Sequence, residues 1–194
     1  NLFTGEKVAL SKSDCEFGYR ESVFKHRYKN QFIITSVTFC LNRQPKFNIA
    51  YGDIQNTLNE MNVSELTLKA VSDAVIKIRA SKLPHVGELG NAGSFFKNPT
   101  ITAHQFHQLK EQHPLMPHYP QKSGEEKIPA GWLIEQCGWK GKVVGNTGSH
   151  KTQALVLVNY GGATGNEIYQ LALDIQKSVR DKFGITIQPE VNLI

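Results

Sequence analysis

The stretch GNAGSFFKNP, residues 90–99, carries the residues best placed to do chemistry. Glycines at both ends of Gly-Asn-Ala-Gly free the backbone for a tight turn or for close approach to a ligand. Ser94 then stands at the end of that turn with its hydroxyl presented, and Phe95 and Phe96 can anchor it. A glycine-serine pair alone marks a turn ahead of a buried strand more readily than an active site. A second pattern, His104-x-x-His107 with His113 and His118 downstream, puts two imidazoles on one helical face. No carboxylate or thiolate completes a ligand set there, so it reads as a solvated helix face and no metal site is expected. Cys15, Cys40 and Cys137 are odd in number and widely scattered. That usage fits free thiols in a reducing cytoplasm rather than disulfides or zinc. No G-x-G-x-x-G run occurs, and GNTGSH at residues 145–150 is too weak a substitute for a dinucleotide loop.

Twenty-two Lys and Arg against seventeen Asp and Glu give a net charge of +5, which suits an anionic ligand. The basic residues are dispersed and show neither an RNA-binding signature nor zinc-finger spacing, so a small phosphorylated substrate fits as well as nucleic acid. At 194 residues and 40% hydrophobic content, the chain can bury one substantial core or two small ones. Its longest apolar run, residues 154–158, is far too short to cross a bilayer, and the start lacks a basic-then-apolar signal pattern, so no membrane association is expected. Residues 1–10 read as a strand, a Thr-Gly turn and a second strand, without an initiator Met, as though cut from something longer.

Elements must position these residues. Residues 31–41 place Ile33, Thr35, Val37, Phe39 and Leu41 at period two, which predicts a strand, with FGYRESVFK (residues 17–25) as the loop before it. Val71, Ala74, Val75 and Ile78 recur at helical spacing behind a Thr67 cap, and Pro84 ends that helix. A short helix is predicted near residues 102–112, followed by a long surface excursion holding four of the eight prolines. A further helix begins at Trp132, and residues 154–158 form a buried strand. Thr164-x-x-Glu167 is a capping box opening the clearest helix, whose apolar face is Ile168, Leu171, Ala172, Ile175, Val179 and Phe183 and which Gly184 ends. A return strand follows over residues 185–194. The fold class is α+β, with a joint near residues 81–90.

Seven blocks now stand in order: FGYRESVFK, YGD (51–53), KLP (82–84), GNAGSFFKNP, IPAGWLIEQCGWKGK (128–142), HKTQALVLVN (150–159) and PEV (189–191). Together they resemble the UDP-N-acetylenolpyruvoylglucosamine reductase (MurB) family of bacterial peptidoglycan synthesis, end to end. Tyr51 in YGD looks like that family's tyrosine-loop type. The resemblance implies the tail of a vanillyl-alcohol-oxidase-like FAD-binding domain over residues 1–82. An α/β domain binding the UDP-sugar would cover residues 83–184, and a strand returning toward the flavin domain residues 185–194.

It further implies a cytoplasmic, monomeric oxidoreductase in which NADPH reduces FAD and the flavin passes hydride to the enolpyruvyl group of UDP-N-acetylenolpyruvoylglucosamine. Arg20 would meet the substrate carboxylate, Ser94 would protonate the enol intermediate, and Glu190 would act at the carboxylate in a protonated or proton-sharing form. Tyr51, Lys82, Asn98 and Gln153 would hold the UDP-sugar, Lys82 at the diphosphate and Gln153 near the uracil, with Tyr19 packing beside Arg20. The family's main flavin-binding half has no counterpart here, so the FAD-binding residues are unassigned and this chain alone is expected to hold no flavin and to be inactive. The competing reading is a stand-alone nucleotide-sugar or nucleic-acid binding module without catalysis.

Overall fold

The computed structural model describes residues 1–50 and 52–192. It divides into two units, Asn1–Lys46 and Phe47–Ile194, each described by itself.

The first unit is held by turns. Gly5 donates its amide to the Asn1 carbonyl across the predicted Thr-Gly turn, and Leu2 donates to the Gln31 carbonyl. Gly18 and Glu21 form a short antiparallel bridge, and Val23 begins a single 3-10 turn, Val23–Lys25, with its side chain fully buried. Residues 32–42 correct the sequence reading: they form no strand, and Ile33, Val37, Phe39 and Leu41 are exposed. Period-two alternation gives a strand only where a second strand supplies ladder hydrogen bonds, and none of the described strands pairs with this segment. The two strands expected in residues 1–10 are likewise absent.

The second unit opens with α1 (Ile54–Glu60) and α2 (Leu68–Lys82), which pack on each other, with Leu58 of α1 and Ala74 of α2 buried. Thr67 caps α2 by accepting the Ala70 amide at 3.1 Å. The helix stops at Lys82 because Leu83, ahead of Pro84, is driven to φ −113°, ψ 133°. Three short strands follow, β1 (Gly90–Ser94), β2 (Phe96–Lys97) and β3 (Thr100–Ile101), then α3 (Ala103–Gln112) behind its Thr102 cap. The proline-rich excursion is tied down by β4 (Tyr119–Pro120) and β5 (Glu126–Lys127), and by a 2.8 Å contact between His118 Nδ1 and Glu126 Oε2. The chain then runs through α4 (Ala130–Gln136), β6 (Val143–Val144), β7 (Thr147–Ser149), β8 (Val156–Asn159), α5 (Gly165–Phe183) and β9 (Gln188–Pro189).

The strands form three antiparallel sheets, in the orders β1-β8-β7-β6, β3-β5-β4 and β2-β9. α5 carries the capping box read from the sequence and ends at Gly184, φ 64°. Its face of Leu171, Ala172, Ile175, Val179 and Phe183 is buried against Leu133 and Ile134 of α4 and Leu157 of β8. Each large aliphatic side chain so buried stabilises the unit by about 1.5–3 kcal/mol. Phe95 and Phe96 join this core with ring centroids 5.1 Å apart, which anchors the end of β1 as their position predicted.

Candidate functional site

Ser94 closes β1, and a bulge sets where it stands. Asn91 pairs with Val158 and Ser94 with Val156, so Ala92 and Gly93 together oppose the single residue Leu157. One extra residue re-aims everything after it, because side chains alternate between faces of a sheet with period two. Gly93 takes φ 72°, a conformation that L side chains adopt at a cost, and its amide is bonded to Asn91 Oδ1 at 3.0 Å. Ser94 is left exposed at the bend while the next two residues are buried.

Glu190 is brought to the same place from the far end of the chain. Phe95 donates its amide to the Leu155 carbonyl and accepts the Glu190 amide, each at 2.8 Å. β9 pairs with β2 at Phe96 opposite Pro189 and Lys97 opposite Gln188. Ser94 and Glu190 therefore flank one clamped residue, Phe95, although 96 positions separate them in sequence. Glu190 is half-buried.

Asn98 and Gln153 each approach the first turn of α4. Asn98 Oδ1 accepts the Ala130 amide at 2.9 Å, and a Cβ on Gly131 would stand 3.5 Å from Gln153 Oε1. Gln153 lies within a turn closed by the His150 amide, which donates to the Val156 carbonyl, and by the Val156 amide, which donates to the Gln153 carbonyl; His150 Nδ1 lies 3.0 Å from Thr152 Oγ1. Burial first, and then the Lys151 charge, hold His150 below its ordinary pKa. Lys82 is exposed at the last position of α2. The segment after it is fastened to β1, since Asn91 Nδ2 donates to the Leu89 carbonyl at 2.8 Å and to the Pro84 carbonyl at 3.4 Å.

Ser94, Lys82, Asn98, Gln153 and Glu190 thus belong to the second unit. Tyr19 and Arg20 are exposed at the tip of the turn between Gly18 and Glu21 in the first unit. Arg20 sits at φ 57°, unusual for a bulky residue, and its carbonyl accepts Lys25 Nζ at 2.6 Å. Tyr51 lies outside the described residues.

Selection by residue type passed over Asn91, although its spacing to Gly93 is that of an Asx turn and was legible. His104 and His107 are exposed on α3, and among the described residues no three His, Cys, Asp or Glu side chains gather closely enough to share a metal ion. Among those residues, too, no helix is long and apolar enough to cross a membrane. A groove of about 470 Å³ lined by Gln105, Gln108, Leu109, Glu111, Gln112 and Phe183 touches none of the candidate residues.

Comparison with known proteins converges on one family. Residues 85–194 match the model of the UDP-N-acetylenolpyruvoylglucosamine reductase C-terminal domain. A protein of that reductase name from Flavobacterium johnsoniae is 54% identical over 195 residues, covering 100% of this chain and 58% of the relative. The Chromobacterium violaceum reductase is 50% identical over 186 residues, covering 96% of this chain and 54% of its own length. That from Amoebophilus asiaticus is 49% identical over 193 residues, covering 100% and 57%. The chain spans a little over half the length of the curated relatives it matches. With the family model matching more than half of its residues and relatives of about 50% identity along its length, the chain belongs to the UDP-N-acetylenolpyruvoylglucosamine reductase family.

Proposed function

We propose that the protein to which this chain belongs reduces the enolpyruvyl group of a UDP-sugar, UDP-N-acetylenolpyruvoylglucosamine, to a lactyl ether, in bacterial peptidoglycan synthesis. The observation that carries this reading is the pairing of Ser94 and Glu190 around Phe95 inside the segment that matches the family's C-terminal domain. Residues 1–82 are then the tail of a flavin domain, residues 83–184 the substrate domain and residues 185–194 the returning strand. The protein acts as a cytoplasmic monomer.

The chemistry follows from charge. In the full-length protein FAD, reduced by NADPH, would supply a hydride to the vinyl carbon; its addition would break the π bond and leave an enolate-like species whose negative charge spreads onto the carboxylate. Arg20 holds that carboxylate, where a planar guanidinium makes two parallel hydrogen bonds, and charge fixed in advance at developing charge is the largest catalytic contribution in most enzymes. The Ser94 Oγ–H bond breaks and its proton forms the C–H bond at the other carbon, after which solvent reprotonates the oxygen. A hydroxyl is a weak acid, yet an enolate carbon takes its proton when distance and alignment are set beforehand. Glu190 acts protonated or sharing a proton, because a second bare anion beside the substrate carboxylate would be repelled. Tyr19 packs beside Arg20, Lys82 neutralises the diphosphate, and Asn98, Gln153 and Tyr51 hold the rest of the sugar nucleotide.

The family's reaction also calls for FAD and NADPH. The glycine-rich run at residues 145–150 does not fit the FAD pyrophosphate. That run is the two-residue hairpin turn Gly145-Asn146 followed by β7 itself, and the space beside Gly148 is filled by the Lys142 carbonyl, 2.7 Å from where a Cβ would stand. Residues 145–150 are assigned to the substrate side alone.

Calorimetric titration with UDP-N-acetylenolpyruvoylglucosamine tests the reading. Saturable binding is expected, weakened about tenfold or more by Lys82→Ala through loss of a charge-assisted contact. Ser94→Ala in the full-length protein should bind normally and lose turnover. Unchanged turnover in that variant would overturn the assignment of the proton donor. Binding that ignores UDP-sugars and falls steeply with salt would instead mark a nucleic-acid module.

A further inference from the structure

We infer that Asn91 is a positioning residue that sets Ser94 and the Lys82 segment in register with each other through the two ends of one side-chain amide. This rests on the functional reading above. The bulge in β1 takes Gly93 out of step with β8, so its amide needs a partner outside the ladder. Asn91 Oδ1 supplies one at 3.0 Å. The same residue turns its Nδ2 the other way, to the Leu89 carbonyl at 2.8 Å and the Pro84 carbonyl at 3.4 Å. Chemistry fixes the orientation of the amide. Reversed, it would set its oxygen against two carbonyls and its NH₂ against an N–H.

One half-buried side chain thus ties the residue before Ser94 to the residue two past Lys82. The hydroxyl at one end and the ammonium at the other must serve the same substrate, the first at its enolpyruvyl carbon and the second at its diphosphate. Without the Gly93 bond the extra residue is no longer held, and β1 can pair one position out of step. Gly93 would then oppose Val156, and Ser94 would project from the other face of the sheet. Without the Pro84 and Leu89 bonds, the loop between α2 and β1 keeps the turn in which Glu88 and Leu89 donate to the His85 carbonyl but loses its fastening to the strand.

The two ends of the amide make the proposal testable in the full-length protein. Asn91→Ala removes both, so kcat should fall by about 10²-fold, the cost of misplacing a reacting group by about 1 Å, and KM for the sugar nucleotide should rise. Asn91→Asp keeps the acceptor for Gly93 but sets a carboxylate oxygen against the Leu89 and Pro84 carbonyls, which loosens that loop, so it should recover most of kcat while KM stays raised. A merely structural role would lower the melting temperature and the active fraction without this split between the two constants. Ser94→Ala and Lys82→Ala run beside these variants separate the two ideas. If neither control loses function, the functional reading fails. If both do, while Asn91→Ala melts like the parent with parental kcat and KM, the inference about Asn91 fails. Should Asn91→Ala not fold, Asn91→Asp decides: near-parental kcat with raised KM supports the role, and a parental KM or a lost kcat refutes it.

Discussion

Replacing Gly93 with alanine tests the bulge by the sign of a stability change. Gly93 lies at φ 72°, and an added Cβ would meet no heavy atom within 4 Å, so sterics contribute nothing and conformation alone decides. An L side chain held there costs about 1–2 kcal/mol. In a chain of this size each kcal/mol lowers the melting temperature by about 2–4 °C, so a fall of about 2–8 °C is expected. Gly93→Asn should recover part of it, because asparagine visits the left-handed region more readily than alanine. Gly165→Ala is the control, since Gly165 opens α5 outside that region and also has open space around it. There the loss of unfolded-state freedom should stabilise by about 0.4–1 kcal/mol. Thermal and urea melts of the three variants read the result. A Gly93→Ala protein as stable as the parent, or more stable, would mean that Gly93 is not left-handed, and the account of how Ser94 is presented would go with it.

Two further outcomes follow from the second unit. Ser149 is fully buried and donates its hydroxyl to the Ala154 carbonyl at 2.9 Å. Ser149→Ala should cost about 1–3 kcal/mol in urea denaturation, and a change within error would show that carbonyl to be satisfied elsewhere. Glu167 Oε2 accepts the Thr164 amide at 2.7 Å and the Thr164 hydroxyl at 2.8 Å, bonds that hold its carboxyl below the usual carboxylate range, the backbone bond foremost. A depressed folded pKa stabilises fully above the ordinary value and loses that contribution as pH falls through the lowered one. Glu167→Gln should therefore flatten the acid limb of stability against pH, and identical limbs would contradict the capping-box account.

Legibility tracked the range of the interactions. The Thr67 and Thr164 caps and the Gly184 stop could be read because each depends on residues three or four apart. α4 opened at Ala130, two residues before the start read at Trp132, because Pro129 fits the extended N-cap and no capping side chain marked the boundary. The strand expected at residues 31–41 was a misreading of another kind, since alternation records which residues could share a face but not whether a partner strand exists.

By itself the sequence determined the helices α2, α3, α4 and α5 but not α1, the anchoring of Ser94 by two buried phenylalanines and, through ordered motifs, the family. Those depend on neighbours along the chain or on residue identity alone. Only the tertiary structure decided that Glu190 comes beside Ser94, that Asn98 and Gln153 each approach the first turn of α4, and that a single extra residue in β1 sets the face on which Ser94 stands. These depend on which strand pairs with which and in what register. Backbone hydrogen bonds are the same for every residue type, so pairing is settled by how the whole unit buries its apolar faces.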